Sequence, residues 1–251
     1  MDQLATEKLL SFAYLLCICM GATSSITTGI AWGHWYKTLD QCVNRNCSCI
    51  LYGKNTATIF LGGEQAPCIW VTFGPLIHVF FSLGLLCFHG YRVLFTTKSP
   101  QSRSTRTMLA KLDTGESIEI ETVSQENTSP LPKVFWISTS VISSIFTLYS
   151  LVHFAIFLDG FYGTCKEYRT ALEKLLYIGG SALPVIYNRL SCQSVYDFMD
   201  YMQMDSGNAY RNGIINTGLA LVIGIISSFV TWISYLFASI LNIRQTCISN
   251  D

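Results

Sequence analysis

CVNRNCSCILYGKNTATIFLGGEQAPC, the stretch from Cys42 to Cys68, holds four of the chain's 10 cysteines and joins two long apolar runs. It also contains a glycosylation sequon, Asn46-Cys47-Ser48. Cysteines at this density are typical of disulfide-bonded segments, and disulfides persist on the oxidising side of a membrane. The sequence therefore predicts that this stretch lies outside the cytosol, and that placement assigns a side to every other segment.

Four windows of the sequence contain no Lys, Arg, Asp or Glu, and only 13% of the 251 residues are charged. Each window exceeds the roughly 20 residues that a helix needs to cross about 30 Å of hydrocarbon. Backbone polar groups in hydrocarbon must pair within their own segment, whereas strands of a membrane barrel would be shorter and would alternate. We therefore predict four transmembrane helices within Leu9 to Tyr36, Gln65 to Tyr91, Val134 to Leu158 and Asn212 to Ile243.

The predicted fold is an all-α membrane protein, a four-helix transmembrane bundle with a disulfide-braced extracellular cap. We expect it in the plasma membrane or another membrane of the secretory pathway, with both termini cytosolic. The segments are a cytosolic start (1–8), span one (9–32), an extracellular cysteine-rich loop (33–68), span two (69–95), a mostly disordered cytosolic linker (96–133), span three (134–158), an extracellular loop with short helices (159–212), span four (213–241) and a cytosolic tail (242–251).

The positive-inside rule does not choose the orientation by itself, because this topology places eight of the 16 Lys and Arg residues on each side. The residues nearer the helix ends lean slightly to the same answer. The cysteines decide the question, since six of the 10 lie in the two predicted outer loops and none lies in the linker.

Six outer cysteines allow fifteen pairings. We favour Cys49–Cys68 in the first loop and Cys165–Cys192 in the second, which leaves Cys42–Cys47; a bridge between the two loops is the alternative. The Cys47-x-Cys49 spacing does not predict zinc, because the loop lacks a second such pair and contains no His. We expect no metal and no other cofactor.

The two sequons of the chain fall on opposite sides of the predicted membrane. Asn46 is the expected glycan site because it lies in the outer loop. The second sequon, Asn127-Thr128-Ser129, lies in the cytosolic linker and should stay unused.

Polar side chains within the predicted helices indicate how the helices pack. Ser143 and Ser150 share a face with Thr139 and Thr147, which suits contact with another helix. Span one carries a small, mildly polar side formed by Gly21, Ser24, Ser25, Thr28 and Gly29.

Proline and histidine mark two further features of span two. Pro75 is expected to kink the helix, with neighbouring helices satisfying the carbonyl that it frees. His78 and His89 lie eleven residues apart and so on a similar face, where we expect hydrogen-bonded interhelical histidines rather than a metal or proton path.

Short elements are predicted between the spans. Ala57 to Leu61 is expected to form a strand, and Ile118 and Ile120 are expected to pair locally within the linker. Lys166 to Ile178 and Ser194 to Met204 read as short amphipathic helices. We favour packing of these helices on the first outer loop, and the alternative is that they lie on the membrane.

Several short motifs recur along the chain in a characteristic order: Cys49-x-Leu51-Tyr52, Pro67-Cys68-x-Trp70, Arg92-x-Leu94-Phe95, the pair Cys165 and Cys192, and Ala209-Tyr210 followed by Gly218. Their order and spacing resemble the transmembrane protein 179 family. The resemblance implies four membrane passes and membrane residence, and it implies little about activity. The extra Cys42 and Cys47, and the longer linker, depart from the family pattern.

We predict a non-catalytic structural or accessory membrane protein whose extracellular cap binds a partner such as a channel, receptor or adhesion protein. A net charge of +0 argues against nucleic acid. His153 and Asp159 are six residues apart and do not share a helical face, so no nucleophile–base pair predicts an enzyme. The alternative is an oligomeric channel or small-solute transporter lined by the Ser/Thr faces, although intramembrane acids are nearly absent.

Overall fold

The structure is a computed structural model that describes residues 3–40, 42, 46–55, 60–96, 108–111, 117–120, 131–175, 191–202 and 215–248. These residues contain the helices α1 (Gln3–Leu39), α2 (Gln65–Thr96), α3 (Lys133–Leu175), α4 (Cys192–Met202) and α5 (Thr217–Ile248). They also contain the strands β1 (Cys49–Asn55), β2 (Phe60–Gly63), β3 (Met108–Lys111) and β4 (Ser117–Ile120).

Four of the helices, α1, α2, α3 and α5, are long and apolar enough to cross a membrane. Their outward faces are also apolar, because Phe80 is 73% exposed and Val134 is 72% exposed. Exposed apolar surface on this scale suits hydrocarbon rather than water. The helices therefore fit a multi-pass membrane protein, as the four charge-free windows predicted.

Two buried clusters show that consecutive long helices run in opposite directions. One cluster joins the end of α1 and late α3 to the beginnings of α2 and α5, through residues such as Trp35, Phe157, Val71 and Leu221. The other joins the beginnings of α1 and α3 to the end of α5. We call the first region the disulfide end, because all three disulfides lie there, and the second the opposite end.

Strands β1 and β2 form an antiparallel hairpin at the disulfide end, with Cys49 opposite Gly63 and Lys54 opposite Leu61. The register shifts between these two pairs, and Tyr52 adopts a positive φ of 57° there. A side chain at Gly63 would collide with the Leu51 carbonyl oxygen. Glycine therefore lets the two strands approach.

Helix α3 corrects the predicted boundary near Gly160. The sequence placed a loop from residue 159 and a separate helix from Lys166, but α3 continues without interruption to Leu175. Two glycines, Gly160 and Gly163, are tolerated inside this helix because the hairpin packs against that face. Residues 176–178 of the separate helix predicted there lie outside the described part.

Other boundaries shift by smaller amounts. Helix α1 begins at Gln3 rather than at residue 9, and it ends at Leu39 rather than at residue 32. A charge-free window marks only the apolar middle of such a helix, because polar turns can extend beyond it on both sides. Helix α4 overlaps the predicted Ser194–Met204 segment, and β2 overlaps the predicted strand only at Phe60 and Leu61.

The linker contains a second small hairpin, in which Ile118 pairs with Ala110 and Ile120 pairs with Met108. The local pairing expected of Ile118 and Ile120 is confirmed. The Asn127 sequon lies outside the described residues.

Candidate functional site

The three disulfides connect short segments at the disulfide end to the long helices. Cys42–Cys47 closes the segment after α1, Cys49–Cys68 joins β1 to the start of α2, and Cys165–Cys192 joins α3 to α4. Their Cα–Cα distances of 5.9, 5.5 and 5.5 Å lie in the usual range. These are the same pairs that the sequence analysis favoured, and none crosses between the two predicted outer loops.

The hairpin is fixed to α3 by hydrogen bonds through Thr164, which is fully buried. The Thr164 hydroxyl donates to the Ile50 carbonyl oxygen at 2.9 Å and accepts from the Gly53 N–H at 2.9 Å. The Tyr52 hydroxyl donates to the Ile156 carbonyl oxygen at 3.1 Å. A Cβ atom added at Gly160 would lie 2.8 Å from the Tyr52 ring, so this glycine permits the contact.

Burial, together with the hydrogen bond and negative charge of the nearby Asp159 carboxylate, raises the pKa of the Tyr52 phenol to about 12. Because the pKa of an unfolded tyrosine is about 10, this contribution to stability is present below that pH and is lost as the pH rises toward the folded value. Tyr52 therefore stays a neutral hydrogen-bond donor at physiological pH.

Helix α4 closes the disulfide end against α3 and α5. Its Tyr196 is fully buried, stacks on Phe161 and donates to the Phe161 carbonyl oxygen at 2.9 Å. Burial raises the pKa of Tyr196 well above its usual value. Asp197 Oδ1 accepts from the Gly218 N–H at 2.9 Å, which satisfies a free donor in the first turn of α5.

We call the β1–β2 hairpin, α4 and the three disulfides the disulfide-linked unit. Its described rim carries exposed polar side chains: Asp40, Asn46, Lys54 and Glu64. The Asn46 amide donates to Gln65 Oε1 at 3.3 Å. The unit therefore presents a polar surface, and its disulfides and buried hydroxyl groups hold that surface in place against the long helices.

Between the two ends, a layer of polar groups compensates for Pro75. Proline lacks an N–H, so the Val71 carbonyl four residues earlier loses its helical donor. His153 Nε2 lies 3.1 Å from that oxygen and donates to it from α3. The Ser25 hydroxyl donates to the neighbouring Thr72 carbonyl oxygen at 2.6 Å. The predicted compensation by neighbouring helices is thus confirmed.

Further hydroxyl pairs join the long helices, and they place the predicted Ser/Thr faces inside the chain. Ser143 and Ser150 are buried, as are Ser24 and Thr28 on α1. The helix-to-helix pairs are Ser24–Ser228 at 2.9 Å, Ser82–Tyr235 at 2.6 Å, Ser144–Ser239 at 2.9 Å, and Asn242 with both Tyr14 and Ser143 at 3.3 Å.

The histidines of α2 differ from the sequence prediction. Both are buried, but His78 Nε2 and both ring nitrogens of His89 have no hydrogen-bond partner within the described residues. His78 lies beside Tyr149 and Tyr235, and His89 stacks on Tyr14. The prediction of hydrogen-bonded histidines is wrong for His89, because aromatic rings surround it instead.

Metal ligands and the His153–Asp159 pair can be compared with the described part of the chain. No group of three or more His, Cys, Asp or Glu residues is placed to hold a metal ion there. The gap between His78, His153 and the surrounding hydroxyls is too small for a water molecule. His153 is hydrogen-bonded to the Val71 carbonyl oxygen, and Asp159 is exposed.

The opposite end contains an ion pair that sequence reasoning missed. Glu7 of α1 is 2% exposed, and its carboxylate accepts from Arg92 Nε of α2 at 3.1 Å. Gln3 also donates to Glu7, at 3.1 Å. The sequence signal was an acid two residues before a long apolar window, but its partner lies 85 residues away.

Comparison with models of protein families, with curated proteins and with solved structures found no match for this chain. The resemblance to the transmembrane protein 179 family stays a prediction from the quoted motifs.

Proposed function

We propose that this chain is a non-catalytic multi-pass membrane protein whose disulfide-linked unit binds a partner membrane protein. The observation that carries the proposal is the construction of that unit. Three disulfides, the Thr164 hydrogen bonds and the buried Tyr196 fix a polar rim on the helices. A surface held in one conformation loses less entropy on binding.

We further propose that the four long helices form a transmembrane bundle in which the disulfide-linked unit is an extracellular or luminal cap. Disulfides support this side for the unit, because they form and persist in oxidising compartments. Both termini are then cytosolic. Asn46, which is exposed on the rim, is the proposed glycan site.

The orientation can be tested with two glycosylation variants expressed in mammalian cells. We expect Asn46→Gln to run faster on a gel than the wild type, and Asn127→Gln to run unchanged. Loss of a glycan only in Asn127→Gln would invert the orientation and remove the extracellular cap from the proposal.

The oligomeric channel or transporter finds less support in the geometry. The Ser/Thr faces of α1 and α3 are turned toward helices of the same chain, so they cannot line a pore between copies without opening those contacts. The wild-type chain in liposomes is therefore expected to conduct no ions or small solutes. Flux that scales with the protein concentration would favour the channel.

Partner binding can be tested by reversing charges on the rim. The tagged chain is purified in mild detergent, and co-purifying membrane proteins are identified by mass spectrometry. We expect the variant Lys54→Glu/Glu64→Lys to lose a specific partner, because both side chains are exposed on the rim. The matched control is Lys133→Glu at the opposite end, which should retain that partner. Equal recovery with both variants would contradict the proposal.

A further inference from the structure

Cationic side chains gather at the opposite end of the long helices. Each long helix contributes one: Lys8 of α1, Arg92 of α2, Lys133 of α3 and Arg244 of α5. At a rise of 1.5 Å per residue, each lies within about 8 Å, along the axis, of the helix end. The contacts Glu7–Arg92, Gln245–Thr6 and Phe88–Phe135 join these helix ends to one another, so the four charges lie at a similar depth.

The cations at this end outnumber the carboxylates of the same helices. Within these four helices, the acid at the opposite end is Glu7, which is buried and bonded to Arg92. Lys8, Lys133 and Arg244 are exposed. The exposed charge that these helices present at this end is thus positive.

The disulfide end carries both signs instead. Within the same four helices, exposed Lys37 and Lys166 at this end are accompanied by the exposed acid Asp159, and exposed Asp40 and Glu64 flank the ends of α1 and α2 there. A surface of mixed sign attracts anions weakly, because opposite contributions cancel within a Debye length of about 8–10 Å. The two ends therefore differ in the sign of their exposed charge, although both consist of helix ends near a membrane surface.

We infer that Lys8, Lys133 and Arg244 bind the headgroups of anionic lipids in the leaflet at the opposite end. Each cation near a surface of acidic lipid strengthens attraction about fivefold at moderate ionic strength. Two exposed aromatic residues at this end, Tyr91 and Phe95, suit the interfacial depth at which headgroups lie. The inference depends on membrane residence and not on partner binding by the disulfide-linked unit.

The test uses the full chain in nanodiscs that contain equal amounts of phosphatidylserine and phosphatidylcholine. After gentle release, native mass spectrometry counts the lipids of each type that remain bound. We expect the wild type to retain phosphatidylserine at least fivefold over phosphatidylcholine, and added salt to reduce this ratio.

Two triple variants decide where the lipid binds. Lys8→Gln/Lys133→Gln/Arg244→Gln should abolish the preference, whereas Lys37→Gln/Lys54→Gln/Lys166→Gln at the disulfide end should preserve it. Circular dichroism of both variants checks that the helices remain folded. Equal retention of the two lipids by the wild type would overturn the inference, as would an equal loss in the two variants. Salt dependence of the wild-type ratio provides a measurement that needs no variant.

Discussion

The disulfide end and the opposite end solve the same packing problem by different means. At the disulfide end, three covalent bonds connect short strands and a short helix to the long helices. At the opposite end, the described helices meet without a disulfide, through apolar packing, the Glu7–Arg92 ion pair and amide contacts such as Gln245 with Thr6 at 2.6 Å.

The difference follows from segment length. A long apolar helix satisfies its own backbone and needs only side-chain packing and polar contacts to fix its neighbours. A short strand or helix cannot bury enough surface by itself, so covalent bonds supply the missing constraint. Perturbing each type of contact should therefore affect the two ends unequally.

The largest effect is expected from removing the disulfide with the longest loop. Cys165→Ser/Cys192→Ser opens a separation of 27 residues, and loop entropy predicts a loss of about 3.5 kcal/mol in the free energy of unfolding. Cys42→Ser/Cys47→Ser opens only 5 residues and should cost about 2 kcal/mol. Unfolding in mixed micelles of mild detergent and dodecyl sulfate measures both, and the reverse order would contradict this explanation.

Breaking the ion pair probes the opposite end. Glu7→Gln removes the charge from a side chain that is 3% exposed, and the lost charged hydrogen bonds should cost about 2.5 kcal/mol. The neighbouring exposed Lys8→Gln is the matched control and should change stability by less than about 0.5 kcal/mol. Equal losses in the free energy of unfolding for the two variants, measured in the same micelle assay, would show that burial of Glu7 does not contribute to stability.

Filling a glycine tests how closely the hairpin approaches α3. Gly160→Ala forces a Cβ against the Tyr52 ring, and overpacking of this kind should cost about 2 kcal/mol. Gly84→Ala on α2 meets no atom within 4 Å, so the better helix propensity of alanine should leave stability unchanged or raised by up to about 1 kcal/mol. A stable Gly160→Ala variant would mean that the hairpin is loosely attached.

The smallest effect concerns the polar layer between the two ends. His153→Leu leaves the Val71 carbonyl without its donor and should destabilise the wild type by about 1 kcal/mol. In a Pro75→Ala background the restored backbone N–H supplies that carbonyl, so the same substitution should cost less. A double-mutant cycle measures the coupling. Strict additivity would show that His153 does not compensate for the proline.

The apolar helices and the cysteine pairs follow from sequence because their signals are local. A window without charge between Leu9 and Tyr36 suffices for a helix, and Cys49 and Cys68 lie in one loop. The Pro75 compensation was foreseeable, because proline always frees a carbonyl. Its donor His153 was not, since 82 residues separate it from Val71.

The remaining features depend on tertiary contact. A glycine such as Gly160 ordinarily weakens a helix. Helix α3 nevertheless continues through it, and Tyr52 packs in the space that a side chain at residue 160 would fill. The capping of α5 by Asp197 and the pairing of Glu7 with Arg92 likewise join residues distant in sequence. No local pattern in those segments predicts such partners.

Determining which side of the membrane the opposite end faces is the most direct test of the proposed topology. Cys247 is a free, exposed cysteine near the end of α5, away from the disulfides. In sealed microsomes, where the cytosolic face is outward, a membrane-impermeant maleimide should label the wild type but not Cys247→Ser. Cys165 and Cys192 should become reactive only after detergent and reduction. The account would be contradicted if Cys247 were labelled only after detergent was added, and if reduction without detergent made Cys165 and Cys192 reactive.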